Sequence, residues 1–572
     1  MNYRLLAPSS LVLACAFTAM ACAGGPGTGP QPTAPVPAAA VVHDLIILNG
    51  YVVDGTGSPW YRGDVVIDGE RIAAVGRLVG AHARDTIDAA GLVVSPGWID
   101  MLGHSEYALL EDPRALSKIT QGITTELTGE VTSVVPVNAN TLAELGFARS
   151  DTVDWDDLTG YFARLERARP AINLGTFVTV GSVRRYALGD ARRAPTAAEL
   201  DTMKAHVARA MQQGALGLSS GMIYAPASYA TTAEVVALAQ IAAQYGGGYA
   251  SHIRSEGARL VEAVNEAIEI GERAGTWVQI HHLKASGQAN WGKVRAAVAA
   301  IEAARARGID VSADQYPYRA SSTQLDAIIP GWAHEGGTAA LVARLQDAAT
   351  RDSLRREIMG PEERVESIGE SSGGPTGVML AGFRADSLRR YTGMFLSDVA
   401  SERGQHPIEA LFSLLVADSA ATQAIYFSMS EDDVEYVMRQ PWVSVGIDAG
   451  ARDTVLTSHP HPRAFGSFPR ILCHYVRERG VLTLPDAIRK FTALPAARAG
   501  LGDRGVVKAG MAADLTIFDS ARVCDRATFE APVQTAVGIA HVLVNGTPVV
   551  RDGRVTGART GKGLRPRLSG LH

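Results

Sequence analysis

The chain has 572 residues, 47% of them hydrophobic, which exceeds one ordinary domain and supplies ample material for a large buried core. Lys and Arg number 54 against 59 Asp and Glu, a formal net charge of -5, and no long basic run breaks that balance. The electrostatic footprint of a nucleic-acid partner is missing, so that class of function is excluded.

Residues 1–23 read as an export signal. Arg4 gives a weak positive start, Leu11 to Met20 is apolar but short for a bilayer span, and small residues surround Cys22 in Ala19-Met20-Ala21-Cys22. Two processing routes are open: cleavage before Cys22 with lipidation, which is favoured, or ordinary cleavage after Ala21-Cys22-Ala23. The Gly/Pro/Ala-rich residues 24–42 suit a tether from a lipidated Cys22 to a folded body. The expectation is a periplasmic lipoprotein held at a membrane, or otherwise a soluble periplasmic or secreted protein. Cys15 and Cys22 belong to this region, which leaves Cys473 and Cys524 in the body. Two cysteines are too few for a disulfide framework, and both a pair and two unpaired thiols stand.

From His43 the texture changes to short apolar runs ended by Asn-Gly or Asp-Gly, as in Leu45 to Gly50, Val52 to Gly55 and Val65 to Gly69. That pattern predicts tight β-hairpins. It returns in Ala513 to Phe518 and His541 to Gly546, so residues 43–93 and 500–565 are expected to form one small β-sandwich domain from both chain ends.

Between them, eight apolar runs with polar endings alternate with helical spacing: Leu92 to His104, Ile123 to Glu130, Ile172 to Gly181, Ala215 to Gly221, Gly248 to Glu256, Trp277 to Lys284, Ile309 to Tyr318 and Trp442 to Asp448. One intervening helix is predicted from an N-cap at Thr232, and another carries Leu260, Val264, Ala267 and Ile268 on one face and closes at Gly275. The fold class is therefore α/β, a (β/α)8 TIM-type barrel over residues 94–499. The gap of about 320–440 is too long for one crossover helix and predicts an inserted subdomain.

The barrel brings strand C-termini to one rim, and with them His104, Glu130, His252, His282 and Asp448. Two imidazoles and a carboxylate suit a Zn²⁺ site with an open position, where the ion lowers the pKa of a water to about 7 and polarises a carbonyl while an aspartate accepts the proton. Metal-assisted hydrolysis follows.

Several stretches resemble the N-acyl-D-amino-acid deacylase (D-aminoacylase) branch of the amidohydrolase superfamily, over about His43 to Arg567. They are Ser95-Pro96-Gly97-Trp98-Ile99-Asp100, Gly214 to Gly221, Ser251-His252-Ile253-Arg254-Ser255-Glu256-Gly257, Asp314-Gln315-Tyr316-Pro317-Tyr318, His461-Pro462-Arg463 and Gly510 to Leu515. The resemblance implies a barrel plus a small β-sandwich, paired histidine ligands at His252 and His282, and Asp448 as general acid/base. Glu130 stands where relatives usually have a metal-binding cysteine. Lys284, Tyr316 and Arg463 match positions that receive the substrate carboxylate, for which a cation, a hydroxyl and a bidentate guanidinium are apt.

Two departures bear on the site. Where most amidohydrolases have His-x-His, this chain has Leu102-Gly103-His104, so one ligand of a second ion is missing and a single Zn²⁺ on Glu130, His252 and His282 is expected. His104 is left to contact substrate or assist Asp448. The third run ends in Gly181-Ser182, where many relatives have a histidine. The expected activity is hydrolysis of N-acyl-D-amino acids to a carboxylate and a free D-amino acid. An exported dipeptidase or cyclic-amide hydrolase on the same scaffold is the alternative within enzymes, and a non-catalytic ligand-binding barrel the alternative outside them.

Overall fold

The computed structural model describes residues 42–145, 153–359, 371–455 and 458–566. The export signal and the tether as far as residue 41 lie outside them. Among the described residues no helix is long and apolar enough to cross a membrane.

Eight parallel strands form the barrel: β1 (Trp98–Asp100), β2 (Ile123–Thr128), β3 (Asn173–Thr176, continued as Val178–Thr179), β4 (Gly217–Gly221), β5 (Gly248–His252), β6 (Val278–Ile280), β7 (Val311–Gln315) and β8 (Val443–Val445). Each pairs with the next in chain order. The ring closes where Met101 N donates to Val445 O at 3.0 Å and Asp448 N to Leu102 O at 2.7 Å. The strands are buried on both faces, which is why they read in sequence as continuous apolar runs rather than alternating ones.

The helices cover the outside. Helix Leu260–Ala274 buries Leu260, Val264, Ala267 and Ile268 and ends at Gly275 with φ 72°, a left-handed cap that suits glycine. Burying one such aliphatic side chain is worth about 1.5–3 kcal/mol, more than the roughly 1 kcal/mol of a cap, so the apolar stripe decides where the helix lies. Helix Thr232–Gln244 is capped by Thr231, whose side chain accepts from Glu234 N. The cap falls one residue before the expected Thr232, because the threonine three residues ahead of Glu234 is the one that reaches its N–H.

The first apolar run is two strands. Val93–Pro96 pairs with Leu515–Phe518 in the end domain, whereas Trp98–Asp100 pairs in the barrel. The switch is Gly97, where a Cβ would come within 2.2 Å of Thr124 Oγ1. Trp98 lies just past it, fully buried, against Phe468, Phe491 and Phe518. The third run also ends early: Thr179 caps a helix, Val180–Leu188, whose first turn contains Gly181 and Ser182.

Strands from both chain ends build one nine-stranded sheet. Leu45, Ile47, Val65 and Ile67 share its core with Leu515, Ile517 and Leu543. Gly69-Glu70, just after Asp68, and Asn545-Gly546 are hairpin turns; Asn545 (φ 48°) and Gly546 (φ 81°) have the left-handed values of a type I′ turn. Asn49-Gly50 is not a turn. Val42–Val52 runs through it with a register shift between Ile47 and Gly50, because neighbours on both sides keep the strand extended and the extra residue becomes a bulge.

Between β7 and β8 lies a three-stranded antiparallel sheet (Ser321–Gln324, Gln423–Tyr426, Val378–Gly382) with helices and a core of its own that includes Leu341, Leu380, Phe412 and Tyr426. Its edge strand Ser321–Gln324 carries residues to the barrel rim.

Cys473 and Cys524, 51 residues apart, are joined in a disulfide. It ties the turn of helix after Arg463–Arg470 to the C-terminal segment. Closing a loop of that length restricts the unfolded chain by about 4 kcal/mol in the entropic model. Cys473→Ser with Cys524→Ser is therefore expected to lower the urea midpoint by an amount worth about 2–4 kcal/mol; an unchanged midpoint would rule out a stabilising role.

Candidate metal centre and active site

The rim residues are aimed by short, over-determined turns. After β2, Gly129 adopts φ +91°, and a Cβ there would lie within 2.6 Å of Phe177 O, so glycine alone lets the chain swing Glu130 over the barrel mouth. His252 ends β5. After β6 the backbone breaks at His282, whose φ of 35° is unusual for a residue with a side chain. Asp314 of β7 holds that break: its Oδ1 accepts from His282 N at 2.7 Å, and its Oδ2 lies 2.8 Å from both Gln279 Nε2 and His281 Nδ1. After β8, Asp448 likewise has φ 56°.

Glu130 Oε1 is 2.8 Å from His252 Nδ1 and 2.8 Å from His282 Nε2. All three residues are buried, and the imidazoles meet nearly edge to face at 4.4 Å. Two ring nitrogens and a carboxylate oxygen converging on one point are a donor set that Zn²⁺ accepts. Glu130 Oε2 is 3.1 Å from His104 Nε2, which is 3.0 Å from Asp448 Oδ1. His104, Glu130 and Asp448 thus make a second group of three potential ligands that shares Glu130 with the first. Leu102 contributes nothing to either; it is buried and packs where Gly446 leaves room, a Cβ on Gly446 falling 2.7 Å from Leu102 Cβ.

Burial alone would favour a neutral Glu130, yet hydrogen bonds from His104, His252 and His282 hold its carboxyl well below the usual range. Burial holds His252 below its ordinary value. His282 goes the other way: burial and the Lys284 charge oppose protonation, but Glu256 and Glu130 together push it up to about 10. Burial also works against an ionised Asp448, and the Arg463 guanidinium overcomes it, leaving the carboxyl below its ordinary value.

Lys284, Tyr316 and Arg463 join the same cluster, all buried. The guanidinium carbon of Arg463 is 4.7 Å, and Lys284 Nζ 5.5 Å, from the Tyr316 ring centre. Among the described residues the Tyr316 hydroxyl has no hydrogen-bond partner. The two cations are already engaged: Arg463 donates to Asp448 Oδ2 at 2.7 Å and to Ser322 O at 3.0 Å, and Lys284 to Glu256 Oε1 at 2.5 Å. Lys284 and Arg463, which the resemblance matches to positions for a substrate carboxylate, thus each also belong to an internal ion pair.

Other participants are not visible as site residues in the sequence. Glu256 and Asp314 fall inside stretches that carry the family resemblance, but their partners are set by the fold. Tyr224 packs edge-on against His252 at 5.2 Å and shares a hydrogen bond of 2.9 Å with Thr323 of the inserted sheet. Beneath the rim, fully buried Lys118 donates to Asp100 Oδ2 at 2.7 Å and Ala449 O at 2.7 Å and lies 3.4 Å from Glu126 Oε2. Asp100 accepts from Ile447 N at 2.8 Å and Glu126 from Ser105 Oγ at 2.6 Å. This triad binds the turn that carries His104 to the turn that carries Asp448.

The amidohydrolase family model matches residues 85–550. An N-acyl-D-glutamate deacylase of Alcaligenes xylosoxydans xylosoxydans is 38% identical over 88% of this chain and 93% of its own length. The crystal structure of the N-acyl-D-glutamate deacylase from Bordetella bronchiseptica, complexed with zinc and a phosphonate that mimics the tetrahedral intermediate, superposes with a TM-score of 0.78 at 35% identity, covering 92% of this chain and all of that one. A D-aminoacylase structure, described for one-metal activation and second-metal attenuation of its binuclear centre, superposes at 0.76 with 34% identity over 91% of this chain and 100% of that one. With its barrel, its rim cluster of potential metal ligands and its match over most of its length, the chain belongs to the amidohydrolase family.

Proposed function

We propose that the protein is a zinc-dependent hydrolase of N-acyl-D-amino acids, releasing a carboxylate and the free D-amino acid. The observation that carries this reading is the convergence of Glu130, His252 and His282 beside Asp448, with the cationic and hydroxyl groups of Lys284, Tyr316 and Arg463 in the same pocket. The relatives named above support the substrate class.

Glu130, His252 and His282 would hold the ion, which supplies an activated water and a polarised amide carbonyl. Asp448, ionised at neutral pH, takes the proton from the attacking water and returns it to the departing amine. His104 steadies the Asp448 carboxylate at 3.0 Å and Arg463 at 2.7 Å, so that it faces the reacting bond rather than bulk water. The Tyr316 hydroxyl and the Lys284 and Arg463 cations receive the substrate carboxylate. The Cys473–Cys524 disulfide supports an exported location, since such bonds persist in oxidising compartments. On this reading the protein acts outside the cytoplasm, with Cys22 as a lipid anchor.

A second ion held by His104, Glu130 and Asp448 would occupy the proton-transfer carboxylate. Titrating zinc into the metal-free protein should therefore raise hydrolysis to a maximum near one equivalent and lower it beyond that. Activity that climbs steadily to two equivalents would refute the single-ion reading.

A further inference from the structure

Glu256 stands on the loop after β5, and its side chain is only 10% exposed. Its single oxygen Oε1 is 2.9 Å from His282 Nδ1 and 2.5 Å from Lys284 Nζ, and 3.9 Å from His252 Nε2. The opposite nitrogen of His282, Nε2, is the one directed at Glu130, 2.8 Å away. A histidine that offers Nε2 to a metal carries its hydrogen on Nδ1, and that hydrogen needs an acceptor. Lys284 Nζ lies 2.8 Å from the same Nδ1 and brings only hydrogens, so the ammonium and the ring N–H would oppose one another without an anion between them. Glu256 Oε1 is the atom that accepts from both.

Resting on the zinc-deacylase reading above, we infer that Glu256 is a positioning residue shared by the two halves of the site: it orients His282 toward the metal and holds Lys284 at the face of Tyr316 for the substrate carboxylate. The backbone reinforces the arrangement, because Glu256 O accepts from Ser286 N at 2.7 Å and so fixes the loop after β5 to the segment that follows Lys284. A residue that merely filled space here would affect neither ligand in particular. One that serves both ties metal affinity to substrate affinity through a single carboxylate.

The test uses the full chain with Glu256→Gln, which keeps the side-chain volume and removes the charge, in the wild-type and in a Lys284→Met background. Zinc affinity is read by competition with a chelating dye and needs no substrate, so it judges Glu256 separately from the deacylase reading, which stands or falls on wild-type turnover. The expected result is zinc binding weakened about 10–100-fold in both backgrounds. KM for an N-acetyl-D-amino acid should rise about tenfold or more in the wild-type background only, with kcat at saturating zinc changed far less. Circular dichroism of the metal-free variants matched to wild type confirms that the fold is intact. Zinc affinity within twofold of wild type, or a KM increase of the same size in both backgrounds, overturns the proposal.

Discussion

Asp448→Asn is expected to retain its zinc and lose about 10²–10⁴-fold in kcat, the range associated with a positioned general acid/base. The substitution preserves shape, and the Asn oxygen can still accept from Arg463 while its amide NH2 faces His104 Nε2, but it cannot take a proton. The zinc should remain because Asp448 lies outside the group formed by Glu130, His252 and His282. Metal content and single-turnover rate on the same preparation check both halves. A variant within tenfold of wild-type kcat would remove Asp448 from the chemistry, and one that lost its zinc would make Asp448 a ligand instead.

His282→Ala should lose zinc and activity together. Partners that only orient a ligand are worth about 10–100-fold in affinity, so loss of the ligand itself should exceed roughly 100-fold. Full zinc occupancy in that variant would rule His282 out. The same residue makes metal binding depend on pH in a definite direction. In the metal-free protein Glu256 and Glu130 push His282 up to about 10, so below that pH zinc must displace a proton from Nε2. Affinity should rise about tenfold per unit from pH 7 toward 9 and weaken on acidification. Glu130, held well below its ordinary pKa, and His252, held below its own, add nothing to the slope in that window. A flat profile would contradict the coupling.

The barrel was legible because its strands are buried on both faces and so appear as uninterrupted apolar runs ending in polar rim residues. What single runs could not reveal was where a strand changes sheets: Gly97 does so because only glycine fits against Thr124, a contact made 27 residues on. Asn49-Gly50 failed as a hairpin for a related reason, since pairing partners on both sides overrode a local turn signal. Glu130, His252, His282 and Asp448 could be read as neighbours at the rim because residue type and strand-end position coincide there. Glu256 and Asp314 could not, because their work lies in contacts with Lys284 and His282, 28 and 32 residues away. Lys118 is a more extreme case: lysine is ordinarily a surface residue, and its partner Ala449 is 331 residues distant. The pairing of Arg463 with Asp448 is equally invisible in sequence, since the resemblance matches Arg463 to the substrate carboxylate and Asp448 to proton transfer, roles that do not imply a contact between them.

Amine release by the zinc-loaded protein, lacking residues 1–23, from matched N-acetyl-D- and N-acetyl-L-amino acids and a set of dipeptides bears most directly on the assigned activity. Hydrolysis confined to the D series is expected, abolished by a chelator and restored by one equivalent of zinc. Cleavage of the L series or of dipeptides alone, or no turnover with zinc bound, would contradict it.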